Sequence, residues 1–174
     1  MAATVLTDSD IKPAMITVLF LAAKPLDTED IRLDEEYREI EDRLSRASPQ
    51  RIRLIAKWAV RAQDLQTALL EHEPAIAHIS GHGDQDGRVL LEDVVGYSKP
   101  VESEALAELF RILSGSIRCV VLNACNSAGL AKELARFIDT VIGMQGSITT
   151  GAGRAFVTAF YQALAHGKDY RHCF

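Results

Sequence analysis

Two side chains with the means to do covalent chemistry stand at the ends of apolar runs. Cys125 closes Val120-Val121-Leu122-Asn123-Ala124 and opens onto Asn126-Ser127. His82 follows Ala75-Ile76-Ala77-His78-Ile79-Ser80-Gly81 and precedes Gly83. Short apolar, β-branched runs of this kind read as buried strands. Both residues are therefore expected at strand carboxyl ends, where open α/β sheets bind ligands. A thiol nucleophile needs a base for its proton and donors for the oxyanion it creates. His82 is the candidate base and Cys125 the candidate nucleophile. The backbone N–H groups of Gly83 and Cys125 are the candidate oxyanion donors. The helical pattern after Cys125 adds a helix N-terminus, which favours negative charge nearby. Two other residues of the same types read differently. Cys119 lies inside its strand as core, and His78 lies inside its strand as a structural histidine.

The rest of the chain must bring those two strand ends together. Residues 16–22 form a nearly continuous apolar run, as in a strand covered on both faces. Lys24-Pro25-Leu26-Asp27 breaks it, and Asp27 or Thr28 is expected to cap the next helix. Leu33, Tyr37, Ile40 and Leu44 recur there at helical spacing, with acids on the other face, until Ser48-Pro49. A second strand is expected over 53–60, then a helix capped by Asp64 and stopped by Pro74. The third strand spans 75–80. A glycine- and acid-rich loop over 81–87 leads to a short hairpin at 88–91, returning at 96–101. Ser103 is expected to cap a helix carrying Leu106, Leu109, Phe110 and Leu113, closed by Gly115. Strands at 117–122 and 140–144 flank a helix at 128–137, and a last helix covers 151–166. Strands alternating with helices predict an α/β fold with a mostly parallel sheet covered on both faces. Residues 1–13 read as a loose arm and 14–174 as one domain.

Composition narrows the function classes. A chain of 174 residues, 48% hydrophobic and 25% charged, is an ordinary single globular domain. A net charge of -5 argues against a nucleic-acid partner. Three cysteines with no CxxC spacing give neither a disulfide framework nor a cysteine-rich metal site, and fit a reducing compartment. The apolar run 14–23 is too short to span a bilayer, and Asp8 and Asp10 ahead of it are wrong for a secretory leader, so no membrane partner is expected.

At its two motifs the sequence resembles the CHAT family of caspase-like cysteine peptidases, in the larger group with caspases, metacaspases, legumains and separases. The residues that carry the likeness are His78-Ile79-Ser80-Gly81-His82-Gly83 and Val121-Leu122-Asn123-Ala124-Cys125-Asn126-Ser127. The stretches Phe20-Leu21-Ala22-Ala23-Lys24-Pro25-Leu26-Asp27, Val141-Ile142-Gly143-Met144 and Phe160-Tyr161-Gln162-Ala163-Leu164 support it. The resemblance implies a caspase-like three-layer sandwich, a His82–Cys125 dyad, cleavage of a protein or peptide substrate and no cofactor. Asn123 and Gly81 would face the substrate. It further implies a cytoplasmic role in bacterial stress or defence signalling, switched by a sensor module or partner protein. The chain is then either a piece of a longer protein or a stand-alone effector.

Departures from the group bear on specificity. Relatives that cut after a basic residue use acids in the specificity pocket. Here the position two before the cysteine is neutral Asn123, and residues 145–153 contain no acid. A basic preference is therefore not expected. Only Ile138 and Asp139 separate the helix after the cysteine from the next strand, which leaves no room for a cleavable linker and predicts a single uncut chain. Two other classes remain as alternatives: a catalytically silent scaffold of the same fold, and a nucleotide or calcium module at Gly81-His82-Gly83-Asp84-Gln85-Asp86-Gly87. The glycine pattern of that loop is not GxGxxG, and Asp84 and Asp86 also fit a solvated loop.

Overall fold

The computed structural model describes residues 15–47, 51–113, 115–147, 149–170 and 173. The expected N-terminal arm and the Ser48-Pro49 helix stop lie outside them. Five strands form one parallel sheet in the order β2-β1-β3-β7-β8: β1 (Ile16–Ala22), β2 (Ile52–Lys57), β3 (Ile76–Ser80), β7 (Cys119–Asn123) and β8 (Thr140–Gly143). Three short strands, β4 (His82–Gly83), β5 (Val89–Glu92) and β6 (Ser98–Val101), form a separate antiparallel sheet. The described residues also form five helices: α1 (Leu33–Ala47), α2 (Ala62–His72), α3 (Ser103–Leu113), α4 (Ala128–Leu134) and α5 (Thr150–Ala165).

The period of two along each strand sorts the core into two layers. Leu19, Leu21, Ala77, Ile79, Val120 and Leu122 point to one face, against Leu65 and Leu69 of α2, Leu106 and Phe110 of α3, and Leu130 and Leu134 of α4. Val18, Phe20, Ile76, Cys119 and Val121 point to the other, against Leu33, Ile40 and Leu44 of α1 and Val157, Phe160, Tyr161 and Leu164 of α5. Each such large side chain contributes roughly 1.5–3 kcal/mol by leaving water. This is the expected three-layer α/β sandwich.

Three local expectations are corrected. α1 begins at Leu33, so neither Asp27 nor Thr28 caps it. The Asp27 carboxylate instead accepts from Ser98 N at 2.8 Å and Ser98 Oγ at 2.7 Å, and Thr28 Oγ1 donates to Pro25 O at 2.7 Å. β2 ends at Lys57, three residues early, because Ala59 takes a left-handed φ of 53° that a strand cannot hold. Asp64 sits inside α2, where its carboxylate accepts from Arg61 N at 3.0 Å.

The strand order places β1 between β2 and β3. The chain leaves β1 for one neighbour and later returns to the other. That reversal opens a crevice at the carboxyl ends of β1 and β3, the usual ligand site of such sheets. Residues 23–32 after β1 and 81–88 after β3 border it.

Candidate active site

His82 does not lie in a free loop. With Gly83 it forms β4, paired with β5 in the register His82↔Leu90 and Gly83↔Val89. A two-residue strand carries no periodicity, which is why the sequence shows only its partner hairpin. Nε2 of His82 lies 2.8 Å from the backbone carbonyl of Glu29. A carbonyl oxygen only accepts, so Nε2 carries the proton and, in the neutral ring, Nδ1 is left basic. The carbonyl comes from the 23–32 segment, which is tied down at Asp27–Ser98, at Lys24 N to Glu92 Oε1 (3.0 Å) and at Leu26 N to Gly96 O (2.9 Å).

Cys125 stands two residues past β7 on a turn fixed from both sides. Asn126 adopts a left-handed φ of 57°. Its Nδ2 donates to Asp84 O at 2.8 Å and its backbone N to Gly146 O at 3.1 Å. The buried Ser127 hydroxyl donates to Ala124 O at 2.8 Å and accepts from Met144 N at 2.9 Å. Gly83 packs directly on this turn, and a Cβ at that position would overlap the Cys125 carbonyl. The backbones carrying the two candidate residues are thus in contact, and His82 and Cys125 line one cleft of about 120 Å³. Gly81 and Asn123 line it too. Gly81 N donates to Asn123 O at 3.2 Å, and a Cβ on Gly81 would come within 2.6 Å of Ala23 O.

The cleft also holds residues that the sequence reading passed over. Glu36, on α1, is 4% exposed and lines it. Its Oε2 accepts from Ser80 Oγ at 2.9 Å and Asn123 Nδ2 at 3.0 Å, and its Oε1 lies 3.2 Å from Nε2 of His78. Burial pushes this carboxyl up, but His78, Ser80 and Asn123 outweigh it and hold the group below its ordinary value. The acid that lines this cleft comes from α1, not from position 123 or residues 145–153. The signal was available: Glu36 lies three residues after Leu33 and four before Ile40, on the buried stripe. Arg154 of α5 lines the cleft and binds Glu35, with its Nε 3.5 Å from Glu39 Oε1.

His78 is fully buried, its Nδ1 3.1 Å from Tyr161 Oη and its ring stacked on the Tyr161 ring. It lies in the core, as the sequence predicts. Cys119 and Cys173 are buried as well. Burial, with Cys173 adding to it, pushes the Cys119 thiol up to about 12, and burial followed by Asp169 raises Cys173. Neither is a thiolate near neutral pH. In the 81–87 loop, Asp84 accepts from Arg88 N at 2.9 Å and Arg88 Nε at 2.7 Å, so Arg88 takes up the carboxylate that a cation would need. Among the described residues, no group of three or more His, Cys, Asp or Glu side chains could hold a metal ion, and no helix is long and apolar enough to cross a membrane.

The CHAT domain family matches residues 10–173, nearly the whole chain. The chain belongs to the CHAT family. CHAT domains are caspase-like, and the parallel five-stranded sheet between two helix layers agrees. A protein of Gillisia limnaea named "Probable protease" is 24% identical to this CHAT domain over 165 residues. The match covers 92% of this chain and 29% of that protein, so the chain spans less than a third of its relative's length.

Proposed function

We propose that this CHAT domain is a cysteine endopeptidase that cuts protein or peptide substrates with a His82–Cys125 dyad. The observation that carries the reading is the paired placement of His82 and Cys125. The ring's Nε2 spends its proton on the Glu29 carbonyl, and both side chains open into one cleft. In this scheme Nδ1 of His82 takes the Cys125 thiol proton. The sulfur attacks the substrate carbonyl carbon, and the N–H groups of Gly83 and Cys125 hold the oxyanion. The imidazolium returns its proton to the departing amine. A water deprotonated by His82 then hydrolyses the thioester and restores the thiol. No step calls for a cofactor.

The floor of the cleft bears on specificity. Glu36 Oε2 accepts from Ser80 and Asn123 while Oε1 faces His78 without a hydrogen bond, and Arg154 lines the same cleft, where its charge repels a second cation. This supports a neutral residue before the scissile bond rather than a basic one. A cytoplasmic role in bacterial stress or defence signalling, switched by a sensor module or partner protein, is part of the same proposal. A peptide-library cleavage screen of the wild type against Cys125→Ala tests it. Cleavage by the wild type alone is expected. Equal cleavage by both would transfer the activity elsewhere, and silence of both, with and without candidate partner proteins, would favour a scaffold.

A further inference from the structure

A second cavity of about 530 Å³ adjoins the dyad cleft and shares the wall Ile31-Arg32-Leu33 with it. Trp58, the chain's single tryptophan, lines it. The indole is held by Phe20 at 5.8 Å and Tyr37 at 5.6 Å between ring centroids, yet remains 49% exposed. Ala22, Ile31, Leu33 and Ala59 supply the other apolar lining. The charged side chains around the mouth are all engaged. Lys24 pairs with Asp30 at 2.7 Å, Arg32 with Asp34 at 2.8 Å, and Glu92 accepts from Lys24 N at 3.0 Å. A ligand entering therefore meets apolar carbon and an indole face, with no uncommitted charge to bind.

We propose that this cavity is a substrate subsite that takes a large apolar side chain, aromatic for preference, from the peptide whose scissile bond lies at Cys125. The proposal rests on the peptidase reading and names what that site selects. Continuity with the dyad cleft argues for the same peptide as occupant. Spacing agrees. Trp58 follows β2, and β2 lies three strands from β7, just past which Cys125 stands. Three strand spacings are about 14 Å, or about four residues of extended peptide. Aromatic rings favour one another's edges and offset faces, and an indole already fixed by two rings loses little freedom on binding.

Two measurements test the subsite independently of each other. In Cys125→Ala, which cannot turn over, the emission of Trp58 reports occupancy without background from another tryptophan. The probes are acetylated, amidated alanine-based decapeptides with one phenylalanine walked along the chain, and the all-alanine decapeptide. Saturable emission changes are expected with the phenylalanine peptides and not with the alanine peptide. In the wild type, cleavage sites in a proteome-derived peptide library are expected to favour Phe, Tyr or Leu at one position about four residues from the cut. The preference for Phe over Ala there should be about tenfold, retained in Trp58→Phe and lost in Trp58→Ala. If Trp58→Ala does not fold, Ile31→Glu places a charge in the shared wall and should lose the preference instead. Emission that no peptide changes, or an unaltered profile in a folded Trp58→Ala, overturns the subsite. A wild type that cuts nothing, with emission still responding to phenylalanine, would defeat the peptidase reading and leave a peptide-binding cavity.

Discussion

His78 and His82 lie four residues apart, one inside β3 and one just beyond it, and their surroundings differ completely. His78 is fully buried, faced by the Glu36 carboxylate on one nitrogen and the Tyr161 hydroxyl on the other. Its Nδ1 meets the Tyr161 hydroxyl, and its Nε2 faces Glu36 Oε1 at 3.2 Å without a hydrogen bond, both among side chains of the core. His82 has one nitrogen held by a backbone carbonyl and lines a cleft that also contains a thiol. A histidine closed in on all sides by core side chains fixes structure. A histidine with one nitrogen fixed, on the wall of a cleft, is equipped to move a proton. The same residue type thus serves two purposes, decided by where β3 ends.

Exchanging the two roles should fail in opposite ways. Cys125→Ala and His82→Ala should each lower kcat/KM for a cleaved peptide by at least about a thousandfold, with thermal midpoints close to wild type. Steady-state kinetics and calorimetry on the same samples check both halves. His78→Ala should do the reverse in stability, because it removes a buried ring packed between Phe20 and Tyr161 and leaves the Tyr161 hydroxyl without its partner. Leaving a buried polar group unsatisfied costs about 1–3 kcal/mol. Urea denaturation reads that loss, and a change below about 1 kcal/mol would remove His78 from the structural account.

The acid side of the network predicts a pH dependence. The Glu36 carboxyl is held below its ordinary value of 4.5 in the folded chain. Its contribution to stability is therefore complete above that pH and is lost as pH falls through the lower folded-state value. Glu36→Gln should flatten the drop in urea midpoint between pH 6 and pH 3.5. A drop of equal size in both proteins would assign the acid lability to other groups. The smallest effect is expected at Asp27, an exposed residue whose carboxylate ties the Glu29 segment to Ser98. Asp27→Ala should lower kcat by about tenfold with KM little changed, and Ser98→Ala by less. A change in KM alone would place Asp27 in substrate contact instead.

Much of this arrangement was legible in the chain. The apolar runs at 16–22 and 75–80 mark β1 and β3, because a strand buried on both faces is mostly apolar, with Thr17, His78 and Ser80 as their only polar residues. Strand alternation also told Cys119 from Cys125, since the first lies inside the run and the second after it. What escaped notice came from long-range pairing. The Glu29 carbonyl is a backbone group, and no side-chain pattern marks it. The Asp27–Ser98 bonds join residues 71 apart in sequence. Glu36 was assigned to a solvated face because acids on a helix usually are solvated, although its spacing from Leu33 and Ile40 placed it inward. Its burial depends on His78 and Ser80 of β3 and Asn123 of β7, which only the folded sheet brings to it.

The central claim is that His82 acts on Cys125 and on no other thiol. Intact-mass and peptide-mapping analysis after exposure to a peptide chloromethyl ketone tests it without knowledge of the natural substrate. The account predicts a single adduct on Cys125, formed at least about a hundredfold more slowly in His82→Ala. An adduct on Cys119 or Cys173, or an unchanged rate at Cys125 in His82→Ala, would contradict it.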